Sequence, residues 1–223
     1  MRKLSILISA LAIMSMGPVG LKAQTTEYSL RSSVDLELKI AKKLKVEITP
    51  EYRYNPENRA GTLLVQTGLN YRMAGWLSVG GYYRLDVSKA TGSENLDGSA
   101  YDFSNRFAFD ANAKVSLKRF TPKFRVRYCN FTDFDNDTED KSNYLRYRIR
   151  LDYNVKGIKL TPFAAAEFYQ KLSSGLFSKA RYYIGAEYQF NKGNAISFEY
   201  SFADKFKNLT RYHILEAVYK INL

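Results

Sequence analysis

The segment from Tyr144 to Tyr153 reads YLRYRIRLDY, and its pattern decides the fold. Apolar and aromatic residues stand at every second position. The positions between them hold three arginines and one aspartate: Arg146, Arg148, Arg150 and Asp152. A period of two places all the apolar side chains on one face of an extended strand and all the charged ones on the other. The segment therefore predicts a β-strand with one apolar face and one strongly charged face.

The same alternation recurs in ten further segments. The eleven apolar faces begin at Tyr28, Leu44, Leu63, Leu77, Tyr101, Phe120, Asn143, Ile158, Ala180, Ile196 and His213. Taken at every second residue, these faces contain 68 positions, and none of them is Asp, Glu, Lys or Arg. At a charged fraction of 25%, chance would place about seventeen charged residues there. The pattern predicts an all-β chain.

Two all-β architectures have such strands. A soluble barrel places its apolar face inward, whereas a transmembrane barrel turns that face toward lipid and its polar face toward the lumen. Segments of about 10–14 residues suit tilted membrane-spanning strands. Aromatic residues also recur near the strand ends, as in interfacial girdles: Tyr52, Tyr54, Tyr71, Trp76, Tyr101, Phe103, Tyr153 and Phe190. We therefore predict a transmembrane antiparallel up-and-down β-barrel; a soluble secreted barrel that binds an acidic ligand is the alternative.

Composition limits the classes of function. The 223 residues carry a formal charge of +12, and 45% of them are hydrophobic, which argues against disorder. One cysteine, Cys129, and one histidine, His213, exclude an internal disulfide and a metal cluster rich in cysteine or histidine. No glycine-rich phosphate loop is present. We therefore predict no cofactor.

The first residues have the features of an export signal. Arg2 and Lys3 precede the apolar run at 4–14, which is too short to span a bilayer as a helix. We predict a secretory signal peptide over 1–23 and a single barrel domain over 24–223. Cleavage removes three basic residues and no acid, so the mature charge becomes 12 − 3 = +9. Export also argues against binding to nucleic acid.

Connection lengths predict how the barrel is oriented. Short and long connections alternate along the chain, and outer-membrane barrels have short periplasmic turns. The last strand then ends in the periplasm. Its residues Tyr219, Ile221 and Leu223 are similar to the C-terminal signal that the barrel-assembly machinery recognises, with Leu in place of the usual Phe. Because bacterial single-chain barrels have even strand numbers, we predict twelve strands, with ten as the next choice.

Several short motifs carry a family resemblance. They are AKKL at 41–44, EYRY at 51–54, GYYR at 81–84, YRIRL at 147–151, TPF at 161–163, EF at 167–168 and RYYIG at 181–185. Together they resemble the outer-membrane barrels of the family called domain of unknown function 2490, which is common in Bacteroidota. The resemblance implies a location in the outer membrane. We also predict that the barrel is a monomer in a Gram-negative cell, in contact with its outer-membrane lipid and lipopolysaccharide. It supplies no activity and no catalytic residues.

The charged faces predict an arginine-rich lumen. If the sixth and seventh strands pair as a hairpin, five guanidiniums share one lumenal wall, and this planar group suits carboxylate and phosphate. The candidate anion contacts are Arg84, Arg106, Arg125, Arg127, Arg146, Arg148, Arg150 and Arg181. The candidate acid partners are Asp102, Asp110, Asp152, Glu167 and Glu187. Since the charged faces hold 17 basic and 12 acidic residues, 17 − 12 leaves +5 unbalanced. We predict a narrow passive channel that favours small anionic solutes, or a structural barrel filled by this network.

The acidic segment at 133–140 resembles a metal-binding loop only in part. Alternating Asp133, Asp135 and Asp137 suit a hard cation, but Thr138 and Tyr144 stand where a calcium loop has Gly and Glu. A solvated loop is the favoured interpretation, and no metal is predicted.

The single histidine suggests a rival function. His213 has the lipid-facing parity of the last strand, which raises the hypothesis of an outer-membrane lipid-modifying hydrolase. A nucleophile needs its base within hydrogen-bond reach. Leu215 stands two residues on, and Ser201 on the neighbouring strand has the inward parity. An interfacial histidine without a catalytic role is therefore the favoured interpretation.

Overall fold

The computed structural model describes residues 26–57, 59–89, 101–130, 143–206 and 210–223. They form β1 (Thr26–Lys39), β2 (Leu44–Asn55), β3 (Ala60–Arg72), β4 (Leu77–Lys89), β5 (Tyr101–Lys114), β6 (Phe120–Cys129), β7 (Tyr144–Tyr153), β8 (Leu160–Lys171), β9 (Phe177–Gln189), β10 (Asn194–Lys205) and β11 (Arg211–Asn222). Sequence neighbours pair antiparallel, and β1 pairs with β11 to close the barrel. Within these ranges no helix has the length and apolar character needed to cross a membrane.

The barrel closes with eleven described strands, so the prediction of twelve, or ten, was wrong. An odd number makes the first and last strands run in the same direction, and the closing pair must then be parallel. β1 and β11 pair in this way from Thr26↔Arg211 to Glu37↔Asn222. A parallel ladder satisfies the backbone groups of both strands and removes the sheet edges.

Side-chain exposure follows the alternation and identifies the barrel as a transmembrane one. Phe109 and Ile149, on the apolar faces, are 59% and 57% exposed, whereas Glu167 on a charged face is fully buried. A soluble barrel would have the reverse arrangement. The soluble alternative is therefore wrong, and the transmembrane barrel is confirmed.

The two ends of the barrel differ in their connections. One end, called the turn end here, carries the connections 40–43, 73–76, 115–119, 154–159 and 190–193. The opposite end, called the loop end, carries 56–59, 90–100, 130–143, 172–176 and 206–210. Three of the loop-end connections are as short as those of the turn end, because the strands extend further than the alternation indicated.

Glycines let aromatic rings lie flat against the lumenal wall. A Cβ atom at Gly80 would lie 2.6 Å from the hydroxyl of Tyr82, and one at Gly68 would overlap the same ring. Across the barrel, a Cβ atom at Gly185 would lie 2.6 Å from the ring of Phe163. Only glycine leaves this space, so these rings narrow the lumen without displacing the strands.

Candidate functional site in the barrel lumen

The β6–β7 hairpin brings four arginines together on one wall. Their strands pair so that Arg125 lies opposite Arg148 and Arg127 lies opposite Arg146. All four side chains line the same cavity inside the barrel. Like charges directly opposite each other destabilise a strand pair. Carboxylates from other strands must therefore neutralise this wall.

Glu167 on β8 provides the central neutralising group. It is fully buried, and its Oε1 accepts a hydrogen bond from Arg125 Nη2 at 2.9 Å. Its Oε2 accepts hydrogen bonds from Arg146 Nη2 at 3.0 Å and from the hydroxyls of Tyr169 at 3.0 Å and Tyr183 at 2.5 Å. We call these five residues the Glu167 layer. Their hydrogen bonds link the four neighbouring strands β6, β7, β8 and β9 on one side of the lumen.

Six further lumenal arginines have carboxylate partners, on their own strand or on other strands. Arg127 Nε donates to Asp110 at 2.9 Å, Arg150 Nε to Asp152 at 2.5 Å, Arg148 Nη2 to Glu199 at 3.4 Å, and Arg84 Nη2 and Arg53 Nε to Glu51 at 2.9 and 2.6 Å. Arg106 pairs with Asp86. These buried charge pairs fix the side chains through hydrogen bonds as well as Coulomb attraction.

Several predicted site residues need separate comment. Arg181 is buried and its guanidinium lies 6.0 Å from the centre of the Tyr183 ring. Glu187 pairs with Lys220 rather than with an arginine. The side chain of Asp102 and the loop residues Asp133, Asp135 and Asp137 lie outside the described part of the chain. Contact of the arginines with an anion remains a prediction.

Sequence reasoning missed the aromatic members of this network and one of its acids. The guanidiniums of Arg146 and Arg148 lie over the rings of Tyr169 and Tyr183, at 4.7 and 4.3 Å from their centres. Such stacking stabilises a cation away from water. Glu51, which binds two arginines, was also missed. The sequence did contain a signal for the aromatic members, because these tyrosines stand on the face of the strand that otherwise holds charged residues.

The lumen contains two connected cavities. A central chamber of about 260 Å³ is lined by eight arginines and six carboxylates. A larger cavity of about 420 Å³, called the vestibule, is lined by residues of the turn end, including Ala41 and Trp76. Glu37, Glu47, Arg125 and Arg148 line both cavities. The lumen is therefore accessible from the turn end.

Toward the loop end, the described side chains fill the lumen. Leu64, Tyr169 and Ile214 are each only 1% exposed, and Ala203 is fully buried. These residues project from β3, β8, β10 and β11, on different sides of the barrel. Together with the Glu167 layer they narrow the lumen between the central chamber and the loop end.

The outer wall offers little support for a hydrolase. His213 Nδ1 lies 2.6 Å from the hydroxyl of Tyr200, and its ring stacks on Tyr28 with the ring centres 5.3 Å apart. Ser201 is buried with only 2% of its surface exposed, on the lumenal side of its strand. His213 and Ser201 therefore face opposite sides of the wall. In the described ranges no three His, Cys, Asp or Glu residues are grouped to hold a metal.

The apolar outer wall and charged lumen define a transmembrane β-barrel of the outer-membrane type. A family model described as "Protein of unknown function (DUF2490)" matches residues 31–208. The chain belongs to this family, which confirms the resemblance; the Bacteroidota assignment remains a prediction. No curated protein matches the chain.

Solved structures of outer-membrane proteins are similar to this barrel. One is the outer-membrane expressed OmpT of Vibrio cholerae, at 17% identity and a TM-score of 0.37, with 72% of this chain and 54% of that chain covered. Another is the beta domain of the Bordetella autotransporter BrkA, at 12% identity and a TM-score of 0.43, with 80% and 81% covered. The chain spans about half the length of the OmpT chain.

Proposed function

We propose that this protein admits small anionic solutes into its lumen from the periplasm and passes them slowly across the outer membrane. The observation that carries this proposal is the cationic lumen. Eight arginines and six carboxylates line the central chamber, and the vestibule connects it to the turn end. A cleft of one charge sign between low-dielectric walls concentrates ions of the opposite sign.

Arg31 is the cation best placed to receive a solute. It is buried, with 7% of its surface exposed, and it lines the central chamber. Its Nε donates to Ser29 Oγ at 3.4 Å, and it forms no ion pair with a carboxylate of the described residues. A buried guanidinium without a paired carboxylate favours a bound anion.

The Glu167 layer makes slow passage the expected behaviour. A solute that leaves the central chamber toward the loop end must separate hydrogen-bonded ion pairs such as Arg146–Glu167. The same packing favours a second candidate, a structural barrel that transports nothing. The two candidates differ in conductance.

Conductance across a planar lipid bilayer tests the proposal. We expect the wild-type barrel to form small channels whose reversal potential in a KCl gradient shows anion preference. Arg31→Gln should reduce that preference. Arg59→Gln, which removes the same charge from an exposed position in connection 56–59, should leave it unchanged. Cation-selective channels would contradict the proposal, and a folded barrel without channels would favour the structural role.

The proposal also covers how the protein is exported and assembled and which membrane surrounds it. We propose that residues 1–23 direct export, that the assembly machinery recognises β11, and that the barrel works as a monomer among outer-membrane lipid and lipopolysaccharide. The exposed apolar faces and the outer-membrane type of fold are consistent with this location.

A further inference from the structure

The vestibule carries many more cations than carboxylates. Eleven lysines and arginines line it, against Glu37 and Glu47. Six of the cations have carboxylate partners: Lys45, Lys123, Arg125, Arg148, Arg150 and Lys220. The other five form no ion pair with the described residues: Lys39, Lys42, Lys43, Arg72 and Lys114. Their charge is therefore not balanced within this part of the chain.

These five residues, which we call the cationic arc, lie at the turn end along one side of the vestibule. Lys39 ends β1, Lys42 and Lys43 lie in the connection to β2, Arg72 ends β3 and Lys114 ends β5. Backbone hydrogen bonds hold the arc together. Arg72 N donates to the carbonyl of Lys43 at 2.7 Å, and Lys114 N donates to the carbonyl of Trp76 at 2.9 Å.

The rest of the turn end strengthens the positive potential around the arc. The five turn-end connections contain seven lysines and arginines and no acid. Five of the seven lie outside the vestibule: Lys118, Arg119, Lys156, Lys159 and Lys192. They attract anions at long range, within about 10 Å at ordinary salt. Of these seven, Lys42 and Lys43 line the vestibule and belong to the arc.

Several like charges around one cavity favour a ligand with several opposite charges. A monovalent anion neutralises one cation and leaves the others in repulsion, whereas a multivalent anion contacts several at once. Lysine ammonium groups on flexible stems adapt to the oxygens of phosphate or carboxylate. The volume of about 420 Å³ falls within the usual size range of ligand pockets.

We infer that the vestibule is a binding site for a soluble oxyanion that carries several phosphate or carboxylate groups. The cationic arc binds this ligand, and Trp76 lies beside it. The inference rests on the proposed function, because the same lumen must be open to the periplasm, and it names the class of solute and the place where it first binds.

Fluorescence of Trp76 tests this inference. Trp76 is the single tryptophan of the chain and lines the vestibule. We expect tripolyphosphate, titrated into the full chain in neutral detergent at constant ionic strength, to change the emission with saturation. Monovalent phosphate at the same ionic strength should cause little change. Absence of a saturable response to tripolyphosphate would overturn the inference.

Two matched triple variants distinguish the effect of the cationic arc from that of the general positive charge of the turn end. Lys42→Gln/Lys43→Gln/Arg72→Gln should weaken tripolyphosphate binding roughly tenfold or more, since three direct contacts are removed. Lys118→Gln/Lys156→Gln/Lys192→Gln removes the same charge at the same end but outside the cavity, and should weaken binding by about twofold or less. Equal weakening in both variants would overturn the inference.

Lipid headgroups offer the same phosphate chemistry, so the titration is repeated in nanodiscs. Equal tripolyphosphate affinity in phosphatidylcholine discs with and without phosphatidylglycerol supports a soluble ligand. Loss of binding when phosphatidylglycerol is present overturns it in favour of a headgroup. The experiments also distinguish failure of the proposed passage from failure of this inference. If the wild-type protein binds tripolyphosphate but shows no anion conductance, the proposed passage is refuted and the binding site is not.

Discussion

At the scale of single residues, Glu167 concentrates the interactions of the lumen. One carboxylate accepts hydrogen bonds from two arginines and two tyrosines and is shielded from solvent. A buried ion pair adds little net stability, because desolvation offsets much of the attraction. Removing one partner is costly, because the other charge stays buried and uncompensated. Loss of the Glu167 carboxylate should therefore destabilise the barrel.

Glu167→Ala should lower the free energy of unfolding by about 3–5 kcal/mol, because Arg125 and Arg146 lose their shared carboxylate. Urea unfolding in lipid vesicles, followed by Trp76 emission, measures the change. Glu187→Ala is the control. It breaks a pair with Lys220 in which both side chains are about 30% exposed, so the change should stay within about 1 kcal/mol. Equal losses in the two variants would contradict this account of the lumen.

At the scale of elements, the parallel pairing of β1 with β11 is the unusual feature. It joins the two ends of the described chain along twelve residue pairs. If the barrel had a twelfth strand, β1 and β11 would not be neighbours. The pairing of β1 with β11, called the seam here, therefore distinguishes an eleven-stranded barrel from a twelve-stranded one.

A disulfide across the seam tests this pairing. In a Cys129→Ser background, Ser32→Cys/Ala217→Cys should form a disulfide on oxidation, because Ser32 and Ala217 are register partners. Ser32→Cys/Ile221→Cys should not, since its cysteines are four positions out of register, which is about 13 Å along a strand. Mobility on denaturing gels without reductant measures the crosslink. A crosslink in the second variant but not in the first would show a different register or strand number.

At the scale of the whole molecule, the outer surface determines the environment. Large apolar side chains cover the wall between the two ends, and they would be unfavourable in water. Between the two ends, the charged side chains of the strands face the lumen instead. A negative mean hydropathy of −0.37 is therefore compatible with a membrane protein.

The position of a charged residue along this outer wall should determine how much it lowers the free energy of unfolding. Phe109 and Tyr101 are both 59% exposed on β5, but Phe109 lies near the middle of the strand and Tyr101 at its loop end. Phe109→Arg should lower the free energy of unfolding in vesicles by about 2–4 kcal/mol, and Tyr101→Arg by about 1 kcal/mol or less. Urea unfolding in vesicles measures both. Similar small effects would indicate that this wall does not face lipid.

The sequence by itself determined which side chains share one face of each strand, and it favoured lipid as the environment of the apolar face. Alternation is a local property, because neighbouring residues of a strand point to opposite sides whatever their partners are. For that reason the sequence predicted the eleven alternating segments, the shared face of the arginines and the position of His213 on the opposite, apolar face.

Only the tertiary structure decided the strand number, the charge pairs and the accessible end of the lumen. Arg84 binds Glu51, 33 positions away, and Arg148 binds Glu199, 51 positions away. Such pairs depend on the curvature and register of the barrel, which bring side chains of strands that are not neighbours together in one lumen. Closure through a parallel pair, the Glu167 layer and the cationic arc arise in the same way. Alternation fixes the face on which a side chain lies, whereas barrel geometry fixes what it contacts.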